Sequence, residues 1–353
     1  MKKLLVFLLA FMLVLSLVGC GEEPTVDDSP DVTDDVVETD TPDQASGESI
    51  VINFGDAAAT DSASGRAIVE FEKLVEERSE GRIQVELFLD GLLGSELEVF
   101  GQLQIGDIQI MATGVGSETS FLPQYGILSL PYLFEDAAQK ERAIMDETVY
   151  SMLDASMIEA KDAHIIDVWM QGTRHLTANR EILTPEDIVG VKLRVPENST
   201  FVLAWKNLGA NVMTIGMGDL YTALEQNTCD AQENPLDVII SQSLYEAQDY
   251  VMLTNHVPNM RYICVNNTWW NTLSEEDQTL IYDAIVECGL MNDEEIQSSE
   301  ADQVKFLEDA GLTVLEVDTA KWVEAMNLEE LIPSVSEEMG WSIEFNEAVM
   351  AVE

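Results

Sequence analysis

The polar residues best placed to do chemistry are two arginines and an asparagine. Gly172-Thr173-Arg174-His175 follows a strand that ends at Trp169, and Arg194 sits near the end of the alternating run Val191-Lys192-Leu193-Arg194-Val195, stopped by Pro196. Glu233-Asn234-Pro235 follows a short strand beginning at Cys229. In an open α/β sheet, strand ends are where ligands bind. Two guanidiniums and an amide suit a carboxylate, which arginine grips bidentately. A residue before proline is driven to extended backbone, which fixes where the Asn234 amide points. Covalent and metal chemistry have no comparable support. There is no G-x-S-x-G, and the three histidines and four cysteines (Cys20, Cys229, Cys264, Cys288) show no zinc-ligand spacing. His175 and His256 lack a Ser or Cys partner motif and read as structural. The expectation is a binding protein without catalytic residue, metal or cofactor.

The elements that must hold these groups alternate strand and helix. Ile50–Phe54 and Ile83–Phe88 read as strands flanking a helix over 64–79, with Ile68, Phe71, Leu74 and Val75 on one face. Ser95 and Glu98 have capping-box spacing for a helix to Ile105, and a third strand follows at Ile108–Met111. One helix is expected over 135–160 and a strand at His164–Trp169. A second set begins near Gly172, with helices over 199–208 and 219–226. Ile263–Asn266 is expected to re-enter the first sheet. Helices over 274–288 and 294–310 follow, then a strand at Thr313–Glu316 and a mostly helical end broken at Pro333. Repeating βα units predict an α/β fold with a largely parallel sheet.

The N-terminus reads as an address. Lys2 and Lys3 precede an apolar run, Leu4 to Leu17, of signal-peptide length, which ends at Leu17-Val18-Gly19-Cys20. That ending resembles a bacterial lipobox, so 1–19 is expected to be a signal peptide and Cys20 the lipidated residue. Residues 21–49 hold eleven acids, three prolines and no Lys or Arg, the composition of an extended tether. The chain is thus expected to be exported and lipid-anchored at the outer face of a membrane. The whole sequence has 66 acidic and 17 basic residues, a net of −49. Removing the two leader lysines and eleven tether acids leaves 55 and 15, so the body alone carries −40. Such a charge excludes nucleic-acid binding through a basic surface and docking to anionic headgroups, and it favours a monomer.

Several runs resemble signatures of the TRAP-transporter solute-binding proteins of the DctP type. They are Gly172-Thr173-Arg174-His175-Leu176-Thr177, Gly190 to Pro196, Leu220 to Glu225, and Asp230-Ala231-Gln232-Glu233-Asn234-Pro235, with Ala231 in place of the usual glycine. Leu93-Gly94-Ser95-Glu96 and Leu130-Pro131-Tyr132-Leu133-Phe134 match the family's first domain. The resemblance covers about residues 50 to 320. It implies a periplasmic-binding-protein-like fold, with two α/β lobes joined by hinge strands and a long helix that close on a ligand. Lobe one would be 50–171 plus 260–299. Lobe two, with the hinge and C-terminal helices, would be 172–259 plus 300–353.

The resemblance also implies roles. Arg194 makes the main carboxylate salt bridge, Arg174 supports it, and Asn234 contacts the same group. Glu96 matches an acidic contact, and Met217 stands where the family often has an aromatic. Ala57 and Gly114 replace polar contacts of sialic-acid-binding members, so a small organic acid, such as a C4-dicarboxylate, is expected rather than a sugar acid. Trp169, Met217 and Tyr132 are expected as apolar walls. The competing readings are structural: Arg174 as the partner of a lobe-two carboxylate, Glu96 as a helix-dipole acid, Trp169 and Met217 as core. The implied function is delivery of an organic acid to the TRAP membrane permease subunits. A sensing input domain on the same scaffold is the alternative.

Overall fold

The computed structural model describes residues 49–114 and 120–352. The expected signal peptide, Cys20 and the expected tether up to Glu48 lie outside the described residues. Among the described residues the nine strands are β1 (Ile50–Gly55), β2 (Ile83–Phe88), β3 (Ile110–Gly114), β4 (Ala163–Ala178), β5 (Lys192–Val195), β6 (Asn211–Thr214), β7 (Ala231–Pro235), β8 (Tyr250–Asn266) and β9 (Thr313–Glu316). Alternation sets their faces: in β2, Ile83 and Val85 are buried while Gln84 and Glu86 are exposed. The helix Ala63–Arg78 buries Ala67, Ile68, Phe71 and Val75, and Ser62 caps it by accepting from the Gly65 amide.

The strands form one sheet in the order β2-β1-β3-β8-β4-β7-β5-β6, with β9 beside β8. It is mixed rather than largely parallel. β1 runs parallel to β2 and β3, and β5 runs parallel to β6 and β7, but β4 and β8 are antiparallel to each other and to β7 and β3 respectively. The short strands expected at 164–169 and 263–266 are ends of strands of 16 and 17 residues. Each serves both halves of the sheet, and the polar stretches in their middles conceal that continuity in the sequence. At its C-terminal end β8 pairs with β3, and at its N-terminal end with β9.

Three helix boundaries also differ from expectation. The helix expected over 135–160 is two, Ala137–Ile144 and Glu147–Lys161, because Asp146 caps the second by accepting from the Thr148 and Val149 amides. The two helices expected over 274–310 are one of 35 residues, Glu275–Asp309. Gly289 interrupts its pattern without ending it. Pro333 lies inside the helix Leu328–Met339, and the breaks fall instead at Asn327 and Gly340, both at positive φ. Proline there costs one helical hydrogen bond, which the packing of Leu331 and Val335 offsets.

The largest apolar group runs from Val99 through Trp205 to Val349. In it the C-terminal helices meet earlier elements: Phe345 lies 4.1 Å from Tyr125, ring to ring, and Trp322 packs edge-on to Trp205. Cys229, Cys264 and Cys288 are buried free thiols. Among the described residues no helix is long and apolar enough to cross a membrane.

Candidate functional site

Arg194 is the third residue of β5, flanked by Met213 of β6 and Gln232 of β7. A strand enclosed on both sides presents its side chains to the two faces of the sheet, and this one puts a cation where only 2% of it is exposed. Its guanidinium donates through Nε to the Ile215 carbonyl at 2.8 Å. Nη1 is buried and finds no partner among the described residues, and no described carboxylate lies at salt-bridge distance. Burial pulls its pKa down to about 10, with Arg174 adding to the descent against Glu233, yet it stays charged at neutral pH. An unpaired buried cation is costly unless a ligand supplies the counter-charge.

Arg174 is held differently. Its Nε donates to Glu233 Oε2 at 2.5 Å, and its Nη2 donates to Glu233 Oε1 at 2.9 Å and to Asn234 Oδ1 at 3.1 Å. It also lies over the Phe201 ring at 5.3 Å. Glu233 is fully buried and accepts from His256 Nε2 at 2.9 Å. Burial alone would raise the Glu233 carboxyl, but the Arg174 charge and the bonds from His256 and Arg174 bring it below the usual range. The Asn234 amide donates to Gln232 Oε1 at 2.5 Å. Arg174 is therefore neutralised inside the protein by Glu233, while it still borders the cavity.

The cavity has a volume of about 660 Å³, a size that suits a small metabolite. Arg174, Arg194 and Asn234 meet there with Glu96 and Met217, so five of the six predicted contacts come together. Glu96 opens the helix Glu96–Ile105 and accepts from the Gly114 amide at 3.2 Å. Met217 opens the helix Met217–Glu225. Trp169 does not join them. It is fully buried in the core, donates to Asp167 Oδ2 at 2.9 Å, and packs on Gly289 of the long helix, where a Cβ would come within 2.5 Å of its Nε1. Tyr132 is also buried outside the cavity wall, its hydroxyl donating to the Thr254 carbonyl at 3.2 Å.

Among the lining residues that escaped sequence reasoning are Gln171, Asn259 and Arg261. Between Met170 and Gly172, β4 carries one residue more than β8 opposite it, so Gln171 is bulged out of the ladder. Gly172, at φ +89°, makes the bulge possible, and that glycine was the available signal. Ala57 and Gly114 do border the cavity and bring it no polar side chain. Gln171, Asn259 and Arg261 provide the polar groups that those two positions lack. The arrangement can bind and desolvate an anion. Among the described residues it sets no nucleophile beside a base, and His175 and His256 are committed to the buried network around Glu233 and Asn255.

Comparison with known proteins gives the family of the chain. Residues 54–330 match the model of the bacterial extracellular solute-binding proteins, family 7. A solute-binding protein of Roseobacter denitrificans is 30% identical over 292 residues, covering 83% of this chain and 89% of the relative. The C4-dicarboxylate-binding periplasmic protein of Rhodobacter capsulatus is 27% identical over 298 residues, covering 83% and 87%. The sugar acid binding protein of Advenella mimigardefordensis, solved in complex with galactonate, superposes with a TM-score of 0.81 at 28% identity, covering 86% of this chain and 98% of that one.

Proposed function

The chain belongs to the bacterial extracellular solute-binding proteins of family 7, and from that premise we propose that it captures a small organic acid by its carboxylate and passes it to TRAP membrane permease subunits. In this reading no covalent step occurs. Arg194 is the anchor, and Arg174 and Asn234 shape the rim around it. The single observation that carries the assignment is the contrast among the cavity's three arginines. Arg174 is paired with Glu233 and Arg261 with Asp56, while Arg194 makes one protein hydrogen bond and no ion pair among the described residues.

The exchange of strand partners along β4 and β8 supports two lobes that close on the solute, 50–171 plus 260–299 on one side and, on the other, 172–259 plus 300–353, which includes the hinge and C-terminal helices. Closure removes water from the ion pair and strengthens it. A lipidated Cys20 and the acidic tether would hold this body, as a monomer, at the outer face of the membrane. The same charge contrast weighs against a C4-dicarboxylate, since a second carboxylate would meet only cations already neutralised. The relative from Rhodobacter capsulatus keeps that class in the test.

The test is calorimetry of Arg194→Ala against succinate, malate and a set of sugar acids. Truncating one member of a buried charge pair costs about 2–5 kcal/mol, so affinity for every acid bound by wild type should fall roughly 30-fold or more. Tight binding that survives the substitution would remove Arg194 as the anchor.

A further inference from the structure

Arg194 explains how one end of a ligand is held. The other half of the sheet brings a second polar group to the same cavity. Arg261 of β8 lies opposite Gly114 of β3 and Trp169 of β4. Its Nη2 donates to Asp56 Oδ1 at 2.5 Å and to the Ala112 carbonyl at 2.8 Å, and its Nη1 donates to Ser64 Oγ at 3.0 Å. Its Nε is buried without a partner. Two residues earlier, Asn259 is 1% exposed, donates through Nδ2 to Gln171 Oε1, and leaves its own Oδ1 without a partner. Both residues border the cavity, and so does the bulged Gln171.

We infer that Arg261, Asn259 and Gln171 form the specificity wall of the cavity, and that they read neighbouring hydroxyls on an uncharged tail of a ligand whose carboxylate is held by Arg194. This inference rests on the carboxylate reading above and adds the chemistry of the tail. A hydroxyl both donates and accepts, and the wall offers an unpaired donor in Arg261 Nε and an unpaired acceptor in Asn259 Oδ1. A second carboxylate fits poorly. Arg261 is already offset by Asp56, and Glu96 acts on the same place: burial first, then the Glu96 charge, raises the Asp56 carboxyl against the pull of Arg261. An ammonium tail would leave the Arg261 N–H without an acceptor. A hydrocarbon tail would leave every one of these buried groups unpaired.

The wall is also held in place from behind. Asp293 of the long helix accepts from the Met170 amide at 2.7 Å, and Asn292 donates to the Met170 carbonyl at 2.8 Å. These two bonds fix the peptide next to Gln171, so its amide meets the ligand with little freedom left to lose.

Calorimetry on the full chain tests this with four kinds of acid: a panel of pentonates and hexonates, hexanoate, succinate, and 6-aminohexanoate. For wild type the best hydroxylated acid should bind at least ~100-fold tighter than the other three, because sites built around hydrogen bonds reject analogues that lack the partner. Asn259→Leu should erase most of that preference and leave hexanoate within about 3-fold of its wild-type affinity. Gln171→Leu is the second variant, should Asn259→Leu fail to fold. Tightest binding of succinate, hexanoate or 6-aminohexanoate overturns the wall, as does a preference untouched in both variants. Arg194→Ala in the same series separates the two levels. If it abolishes binding while the wall variants change nothing, the anchor stands and the wall falls. If no acid binds wild type, or if Arg194→Ala binds as wild type does, the carboxylate reading itself falls.

Discussion

His175, opposite Asn234 in the sheet but outside the cavity lining, shows how far a single side chain departs from its behaviour in water. Burial pulls its pKa down to about 3, with His256 nearby adding to the effect, and its Nδ1 accepts from the Asn255 amide at 3.3 Å. The unfolded chain takes up a proton near pH 6.5 that the native protein refuses, so stability should fall as pH drops from about 6.5 toward 3, by up to ~1.4 kcal/mol per pH unit. Asp167 acts with the opposite sign. Burial pushes its carboxyl up to about 6, so between its usual 3.8 and that value the native state holds the extra proton and gains from acid. Urea unfolding of ligand-free protein between pH 4.5 and 6.5 should therefore show a shallow dependence in wild type. In His175→Gln the balance should tip, and stability should grow on acidification. An identical slope in the two proteins would mean that His175 is not held neutral. At this scale the sequence was readable where polar groups stood near the ends of short strands, as Arg194 and Asn234 do, whereas Arg174 lies inside β4 and Glu96, which opens a helix, was found through the family resemblance. Arg261 was hidden because it lies mid-strand, between Met260 and Tyr262. In a chain this acidic, a cation inside an apolar run was a signal of pairing with a buried acid, here Asp56. Trp169 was misassigned because a large aromatic at a strand end serves a wall or a core equally well, and only the neighbouring element decides.

That neighbour is the long helix. Gly289 lies in its interior, where alanine would ordinarily stabilise by about 1 kcal/mol through helix propensity. Here a Cβ would stand 2.5 Å from Trp169 Nε1 and 3.0 Å from Asp167 Oδ2. Forcing an atom into such a contact costs about 1–3 kcal/mol and strains the Trp169–Asp167 bond. Gly289→Ala should therefore lower Tm, with a net loss of up to about 2 kcal/mol from these two opposing terms. A raised Tm would show that helix and sheet can part there without cost. The elements themselves were largely legible, because periods of 3.6 and 2 follow from burial of one face. The failures have two causes. Gly289 and the polar centres of β4 and β8 were settled by long-range contacts that local preference does not show, while the break at Asp146 is local, a cap on the Thr148 and Val149 amides inside an otherwise helical pattern. A glycine that ends one helix can, in another, be the residue that lets a sheet approach.

For the molecule as a whole, the dominant fact is charge. The body carries −40, and the solute proposed for it is an anion. Binding proteins are often described as steering their ligands electrostatically, which makes association fall with added salt. The opposite sign is expected here. Of the three arginines at the cavity, two are offset by Glu233 and Asp56, and Asp90, Glu96, Glu98, Glu197 and Asp219 border the same space. An approaching carboxylate meets a repelling field until it is close to Arg194. Salt shortens the reach of that field, from a Debye length of about 30 Å at ~0.01 M to about 10 Å at ~0.1 M. The association rate measured by stopped-flow tryptophan fluorescence should thus rise several-fold over that range. The dissociation rate should change little, because a pair buried with Arg194 is screened far less than one in water. Affinity would then strengthen with salt, and an uncharged methyl ester of the same acid, though it binds weakly, should show no such trend. An association rate that falls as salt is added would mean that the local field of Arg194 outweighs forty surplus negative charges, and that the acidic surface has no part in how this protein meets its ligand.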